Sequence, residues 1–498
     1  MNAVFGLQYT LAAKFPLHSG GLLRPARGRR HPSIYRTETQ GITGKRVPGK
    51  KAKELSDEVS NSNYAGFNVG GSWHPPAITR GEGVHFYDAD GNEYLDFSSQ
   101  PACVNLGHNN RAVIKAIQGQ AEKLDYIGAS FATDARATYS EKLRTVLPSN
   151  LEKYYFGTSG TEANEAAFRM VRSYFAKEGK TKVMSRYNSY HGWAGATGTL
   201  TGNARRFALE AGGGMPGVVH VPDPYCYRCP LGLKYPECGV ACADYVDYAI
   251  KSEGGVGGLI LEPVTGASGV VVPPKEYLPK IRKITQENDV FLITDEVMSG
   301  WGRTGEWFAT QHWAVEPDIL TTAKAMTGGH FPLSLTATNK RLAEYYDKNW
   351  LPVAGTFSAH PLGMAAGAAA IDEYKRLGLV KKSALMGKHV GKRLAEMKEH
   401  HRSIGDVRGL GLFWALELVK NRATKKPFDT PDDYLTGGDT MVHRVAQKMM
   451  ADGIFIYTGV VSHLIISPPL IITKEQLDTG LDALDEALKV ADAETERA

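Results

Sequence analysis

From about residue 85 onward, short apolar runs alternate with stretches of helical periodicity, the pattern of an α/β fold. Val84 to Asp88 and Gly91 to Phe97 flank an Asp-Gly pair and predict a β-hairpin. Ala163, Ala166, Ala167, Met170, Val171, Tyr174 and Phe175 recur at i, i+3, i+4, i+7, i+8, i+11 and i+12, one face of a helix packed on a sheet. Gly258 to Glu262 and Val290 to Thr294 are apolar almost throughout and predict buried parallel strands. The Ala-rich stretch Met364 to Tyr374 predicts a helix, Arg408 to Glu417 a single strand, and Glu475 to Ala491 a closing helix.

The chain has 498 residues, 42% hydrophobic and 22% charged, an ordinary globular balance. No apolar run approaches the ~20 residues of a membrane span. The net charge of +5 is small, and its carriers are mixed along the body, so nucleic acid is not an expected partner. Five cysteines, four of them clustered in one loop, point to a reducing compartment rather than a disulfide framework. Residues 1 to about 55 differ from the rest. They carry Arg24, Arg27, Arg29, Arg30 and Arg36 before the first acid, Glu38, and read as a basic tail or a transit-like segment. The expected location is the cytoplasm, or an organelle such as the mitochondrion if that segment is a transit peptide.

Three segments carry chemistry. Lys324 follows the apolar pair Ile319-Leu320 and precedes Gly328-Gly329. A desolvated lysine favours its neutral form and can condense with an aldehyde. Asp295 closes the run Phe291-Leu292-Ile293-Thr294, at the end of a strand where ligands of parallel sheets bind. Ser159-Gly160-Thr161-Glu162 reads as a capping box at a helix start, whose N–H groups and dipole suit an anion. An amine, a carboxylate and an anion cradle are the parts needed to hold pyridoxal phosphate.

In combination the motifs YFGTSGTEANEAAFRMVR, YNSYHGWAGAT, LILEPVTGASG, LITDEVMSGWGRTGEWFA, PDILTTAKAMTGG, GTFSAHPLGMAAGAAA and ISPPLIIT resemble the class III, or ω-type, aminotransferases of fold type I. The resemblance runs from about Gly70 to Leu488. It implies a large domain with a mostly parallel seven-stranded sheet and a smaller α+β domain. The expected boundaries are 56–110 for the N-terminal part of the small domain, 111–360 for the cofactor-binding domain and 361–498 for the rest of the small domain. It implies pyridoxal 5'-phosphate as cofactor and Lys324 and Asp295 as the catalytic pair. Ser159, Gly160 and Thr161 would hold the phosphate, Tyr190 and Val297 would cover the two ring faces, and His191 and Glu262 would complete the site. Thr356 would reach the phosphate of a neighbouring subunit, which implies a homodimer with shared active sites. The expected reaction moves an amino group from an ω-amino acid, a taurine-like compound or an amine to pyruvate or 2-oxoglutarate. A decarboxylase or lyase, or an aminomutase, on the same scaffold is the alternative.

Two features depart from this pattern. Many ω-type enzymes carry a carboxylate-binding arginine shortly before the Pro-Pro-Leu motif, but Gly453 to Leu464 contains no arginine or lysine. Tyr457 and His463 are the candidates left there. Cys226-x2-Cys229 and Cys238-x3-Cys242 have a spacing compatible with structural zinc. The resemblance requires no metal, and none is assigned.

Overall fold

The periodic apolar face at Ala163 to Phe175 does form a helix, Gly160–Tyr174 (α1), with Ala163, Ala166, Ala167, Met170 and Val171 buried. The computed structural model describes residues 49–68, 73–210 and 213–496. Beneath α1 lies a seven-stranded sheet. In chain order its strands are Leu151–Gly157 (β1), Lys182–Arg186 (β2), Val218–Val221 (β3), Val256–Leu261 (β4), Phe291–Asp295 (β5), Ile319–Thr322 (β6) and Ser334–Asn339 (β7). Their order across the sheet is β1-β7-β6-β5-β4-β2-β3. Strand β7 pairs antiparallel with β1 and β6. The other pairs are parallel. Every residue of β4, β5 and β6 is buried, as expected for central parallel strands covered on both faces.

The predicted hairpin forms from His85–Asp88 and Glu93–Asp96. Gly91 in its turn has φ +84°, a conformation that favours glycine. On its free edge Glu93–Asp96 pairs in parallel with Ile454–Phe455, so early and late segments of the chain share one sheet. A further sheet combines Ile404–Leu410, Phe413–Asn421, His463–Ile466 and Tyr457–Thr458. The single strand expected over Arg408 to Glu417 is therefore two antiparallel strands. The chain reverses at Gly411, φ +55°, where a Cβ would stand 2.3 Å from the Thr304 carbonyl carbon. The predicted C-terminal helix spans Lys474–Asp492.

The boundary near residue 55 falls inside a helix, Lys50–Ser62. The arginine-bearing part of the basic segment lies outside the described residues. No helix among the described residues is long and apolar enough to cross a membrane.

Candidate active site

The parallel strands deliver the candidate residues at their carboxyl ends, the edge where open α/β sheets bind ligands. Strand β1 leads into Ser159, β2 into Tyr190 and His191, β4 into Glu262, β5 ends in Asp295, and β6 leads into Lys324.

Asp295 is 3% exposed, and described side chains and backbone hold both its oxygens. Oδ2 accepts from Asn164 Nδ2 at 2.7 Å and lies 2.8 Å from His191 Nδ1. Oδ1 accepts from the Val297 N–H at 3.0 Å. Asn164 is 1% exposed. Its Oδ1 accepts from Thr321 Oγ1 at 2.6 Å, on the β6 residue that faces Asp295 across the sheet. Its Nδ2 also donates to the His191 carbonyl at 2.8 Å. One asparagine on α1 thus fixes the acid, the histidine backbone and the next strand. Asn164 was not among the residues expected from the sequence. Its signal there is a polar side chain set among Ala163, Ala166 and Ala167.

Lys324 sits at the turn out of β6 with φ +47°, which for a non-glycine residue costs roughly 1–2 kcal/mol. It is half-buried, and its amine has no hydrogen bond or ion pair among the described residues. At the start of α1, Ser159 Oγ accepts from the Glu162 N–H at 3.3 Å. The reciprocal half of the expected capping box shifts by one residue. Glu162 Oε2 instead accepts from the Thr158 N–H at 2.5 Å and from Thr158 Oγ1 at 2.7 Å. The first N–H groups of a helix have no partner inside it, so this end suits an anion. Gly160 packs closely there, since a Cβ would stand 3.0 Å from both Val297 methyl groups. An uncommitted lysine amine, a buried acid and an open helix start fit pyridoxal phosphate.

Glu262 is 4% exposed and accepts from the Tyr190 N–H at 3.0 Å and the Gly266 N–H at 2.8 Å. Burial holds its carboxyl above the ordinary value, His191 opposes the rise, and Asp295 adds to it. Thr356 is exposed, and its carbonyl accepts from the Tyr126 hydroxyl at 2.8 Å.

Of the two candidates left in the arginine-free stretch, His463 is committed elsewhere. Its Nδ1 lies 2.8 Å from the Val460 carbonyl and its Nε2 3.3 Å from Glu417 Oε2. Glu417 also binds Arg408 Nη1 at 3.0 Å, and it bonds Tyr225 and Arg228 as well. Tyr457 goes a different way: its hydroxyl lies 3.5 Å from Nη2 of Arg205. Arg205 was also missed from the sequence. Its guanidinium stands 5.1 Å over the Tyr190 ring. Burial works against its charge, but the hydroxyls of Tyr457 and Tyr434 outweigh this and hold its pKa above the ordinary value.

Cys226, Cys229, Cys238 and Cys242 line one small cavity with Tyr225 and Tyr235. Burial, aided by the other three thiols, pushes Cys242 up to about 12. Among the described residues no group of three His, Cys, Asp or Glu side chains could hold a metal ion.

The family model for "Aminotransferase class-III" matches residues 68–488. The chain is 36% identical to a leucine/methionine racemase of Thermococcus litoralis, over 86% of this chain and 93% of that one. It is 34% identical to a hypotaurine/taurine–pyruvate aminotransferase of Paracoccus denitrificans, over 83% and 91%. Among solved structures it resembles a taurine:2-oxoglutarate aminotransferase of Bifidobacterium kashiwanohense in complex with PLP and glutamate. That match has a TM-score of 0.83 and 31% identity, covering 92% of this chain and 100% of the other.

Proposed function

The chain belongs to the class-III aminotransferases, enzymes that work with pyridoxal phosphate, and from that premise we propose which residues do the chemistry and on what substrates. The donor is an ω-amino acid, a taurine-like compound or an amine. The acceptor is an oxo acid such as pyruvate or 2-oxoglutarate. The related taurine enzymes support this range.

The observation that carries the reading is the uncommitted amine of Lys324 at the exit of β6, the strand paired with the one that ends in buried Asp295. When bound, the cofactor supplies an electron sink for charge that develops at the substrate Cα. Lys324 Nζ would take the proton from the carbon that bears the donor's amine and, in the second half-reaction, would deliver one to the former carbonyl carbon of the oxo acid. Asp295, anchored by Asn164 and His191, keeps the pyridine nitrogen protonated. Ser159, Gly160 and Thr161 hold the phosphate at the helix start. Tyr190 and Val297 cover the ring faces, and Glu262 orders the segment that carries Tyr190.

We also read residues 111–360 as the cofactor-binding domain, and 56–110 together with 361–498 as the smaller one. Thr356 reaches toward the site of a second copy in a homodimer. Support comes from exposed aromatic surface next to it: Phe357 is 55% and Tyr126 41% exposed, with ring centroids 5.8 Å apart. Light scattering at twice the monomer mass is the expected result.

Reductive trapping with borohydride tests the central assignment. The phosphopyridoxyl label is expected on the peptide that contains Lys324. A label elsewhere, or none, removes the reading. An amine panel should bleach the cofactor's colour, and an oxo-acid panel should restore it.

The relative from Thermococcus litoralis supports a second reading, an amino-acid racemase. Leucine of one hand, incubated in deuterium oxide without any oxo acid, separates the two. Inversion with deuterium at Cα decides for the racemase. No inversion, together with bleaching by amines, decides for amino transfer.

A further inference from the structure

Arg205 is 8% exposed, so most of the residue is removed from water. A guanidinium stays charged in proteins, and burying it costs several kcal/mol unless an opposite charge is supplied. Among the described residues Arg205 has no ion pair. Other deeply buried cations of the chain are compensated differently. Arg408 has the carboxylates of Asp406 at 2.8 Å and Glu417 at 3.0 Å. Arg303 binds the Leu412 carbonyl at 2.9 Å and the Pro468 carbonyl at 2.6 Å, among other oxygens.

Arg205 instead meets neutral groups. Its Nε donates to the Tyr434 hydroxyl at 2.9 Å, and Nη2 lies 3.5 Å from that of Tyr457. Aromatic faces surround it, with the Tyr190 centroid at 5.1 Å, Phe67 at 5.2 Å and Tyr434 at 5.6 Å. Its backbone is held as well, the N–H donating to Asn203 Oδ1 at 3.1 Å. The side chain is therefore positioned by hydroxyls and aromatic faces, with no carboxylate paired to it among the described residues. Tyr190 links it to the candidate site, because the Tyr190 N–H is bound by Glu262 and both Arg205 and Asp295 act electrostatically on its hydroxyl.

We propose that Arg205, steadied by Tyr434 and Tyr457, receives the oxyanion of the substrate, a carboxylate or a sulfonate, and so takes the place left by the arginine missing between Gly453 and Leu464. The proposal rests on the amino-transfer reading and specifies its substrates. A planar guanidinium with donors still available can bind such an oxyanion through two parallel N–H bonds, which a lysine cannot match.

The test uses the full-length holoenzyme and three donors of similar size: propylamine, β-alanine and 2-aminoethanesulfonate. The measured quantity is the rate constant with which each bleaches the cofactor. Calorimetry with propionate and ethanesulfonate gives anion binding without any reaction. In Arg205→Gln, selectivity for the two anionic donors over propylamine is expected to fall on the order of 100-fold, with matching weakening of anion binding. Arg205→Lys should fall between the two. The donor whose selectivity collapses more identifies carboxylate or sulfonate as the natural group. Unchanged selectivity and unchanged anion affinity in Arg205→Gln overturn the proposal. A wild-type enzyme that binds neither anion overturns it too.

If Arg205→Gln does not fold, Tyr434→Phe and Tyr457→Phe each remove one hydroxyl that steadies the guanidinium. Each is expected to lose selectivity about 3- to 10-fold, and no loss in either overturns the proposal. Wild-type protein that no amine bleaches would sink the amino-transfer reading instead. Propionate and ethanesulfonate binding would still judge Arg205 on its own.

Discussion

Asp295 and Arg205 are both buried, both charged and both within electrostatic reach of the Tyr190 hydroxyl, yet they are finished differently. Asp295 has Asn164 and His191 on one oxygen and the Val297 N–H on the other. Arg205 has two phenol hydroxyls and three aromatic faces, and no carboxylate among the described residues. A charge whose bonds are complete is held rigidly and can define where a resident group docks. A charge with only neutral partners keeps its attraction for an ion that comes and goes. The two ends of the site thus differ in permanence as well as in sign.

The sharpest way to break this comparison is at the resident end. Lys324→Ala is expected to lower kcat roughly 10⁴-fold or more, because it removes the only group assigned to move the proton. Near wild-type turnover in that variant would end the assignment. Asp295→Asn keeps the shape of the side chain but loses the negative charge proposed to pair with the pyridine nitrogen. Its kcat is expected to fall about 10²–10³-fold, as when one preorganised electrostatic partner is removed. Arg205→Gln should separate from both, since its main effect is on the choice between anionic and neutral donors. If steady-state kinetics gave Asp295→Asn a selectivity change and no loss of kcat, the two ends would not be distinct.

A smaller effect is expected at the supporting asparagine. Asn164→Leu leaves Asp295 without one donor and Thr321 Oγ1 without its acceptor. Stranding buried polar groups in this way costs about 1–3 kcal/mol for each. The denaturant midpoint should fall accordingly. An unchanged midpoint would mean that Asp295 is held by His191 and Val297 alone.

The resident end was far more legible in the sequence than the substrate end, and the reason is geometric. Asp295 and Lys324 each follow an apolar run buried on both faces, so strand ends could be read directly from the residues. Asn164 was hidden because one polar residue in an alanine-rich helix looks like a solvent-facing position. It is in fact turned toward the sheet. Arg205 was hidden more deeply. It stands next to Arg206 in a short polar stretch, and paired arginines there read as surface. Its partners Tyr434 and Tyr457 are 229 and 252 residues away along the chain. No local pattern can announce contacts of that range. The hairpin at Gly411 was missed for a related reason: its turn glycine lies inside an apolar run that also contains Gly409.

The smallest expected effect lies in the response to pH. Burial raises the Glu262 carboxyl above its ordinary value of 4.5, His191 lowers it in part, and Asp295 raises it further. In the unfolded chain the group titrates near 4.5, and in the folded chain at higher pH. Over the interval between, the folded state keeps a proton that the unfolded state has released. The contribution of this group to stability is therefore complete below 4.5 and is lost as pH rises through the folded pKa. Glu262→Gln retains a carbonyl oxygen for the Tyr190 and Gly266 N–H groups but cannot ionise. Its stability should fall less steeply than wild type as pH rises above 4.5, read as denaturant midpoints along a pH series. Arg205 stays charged across the same range, so Arg205→Gln should leave that slope in place. Equal slopes in Glu262→Gln and wild type would show that Glu262 does not hold its proton in the folded state. The contrast between a tightly bonded, pH-responsive end and a permanently charged receiving end would then reduce to a difference in partners alone.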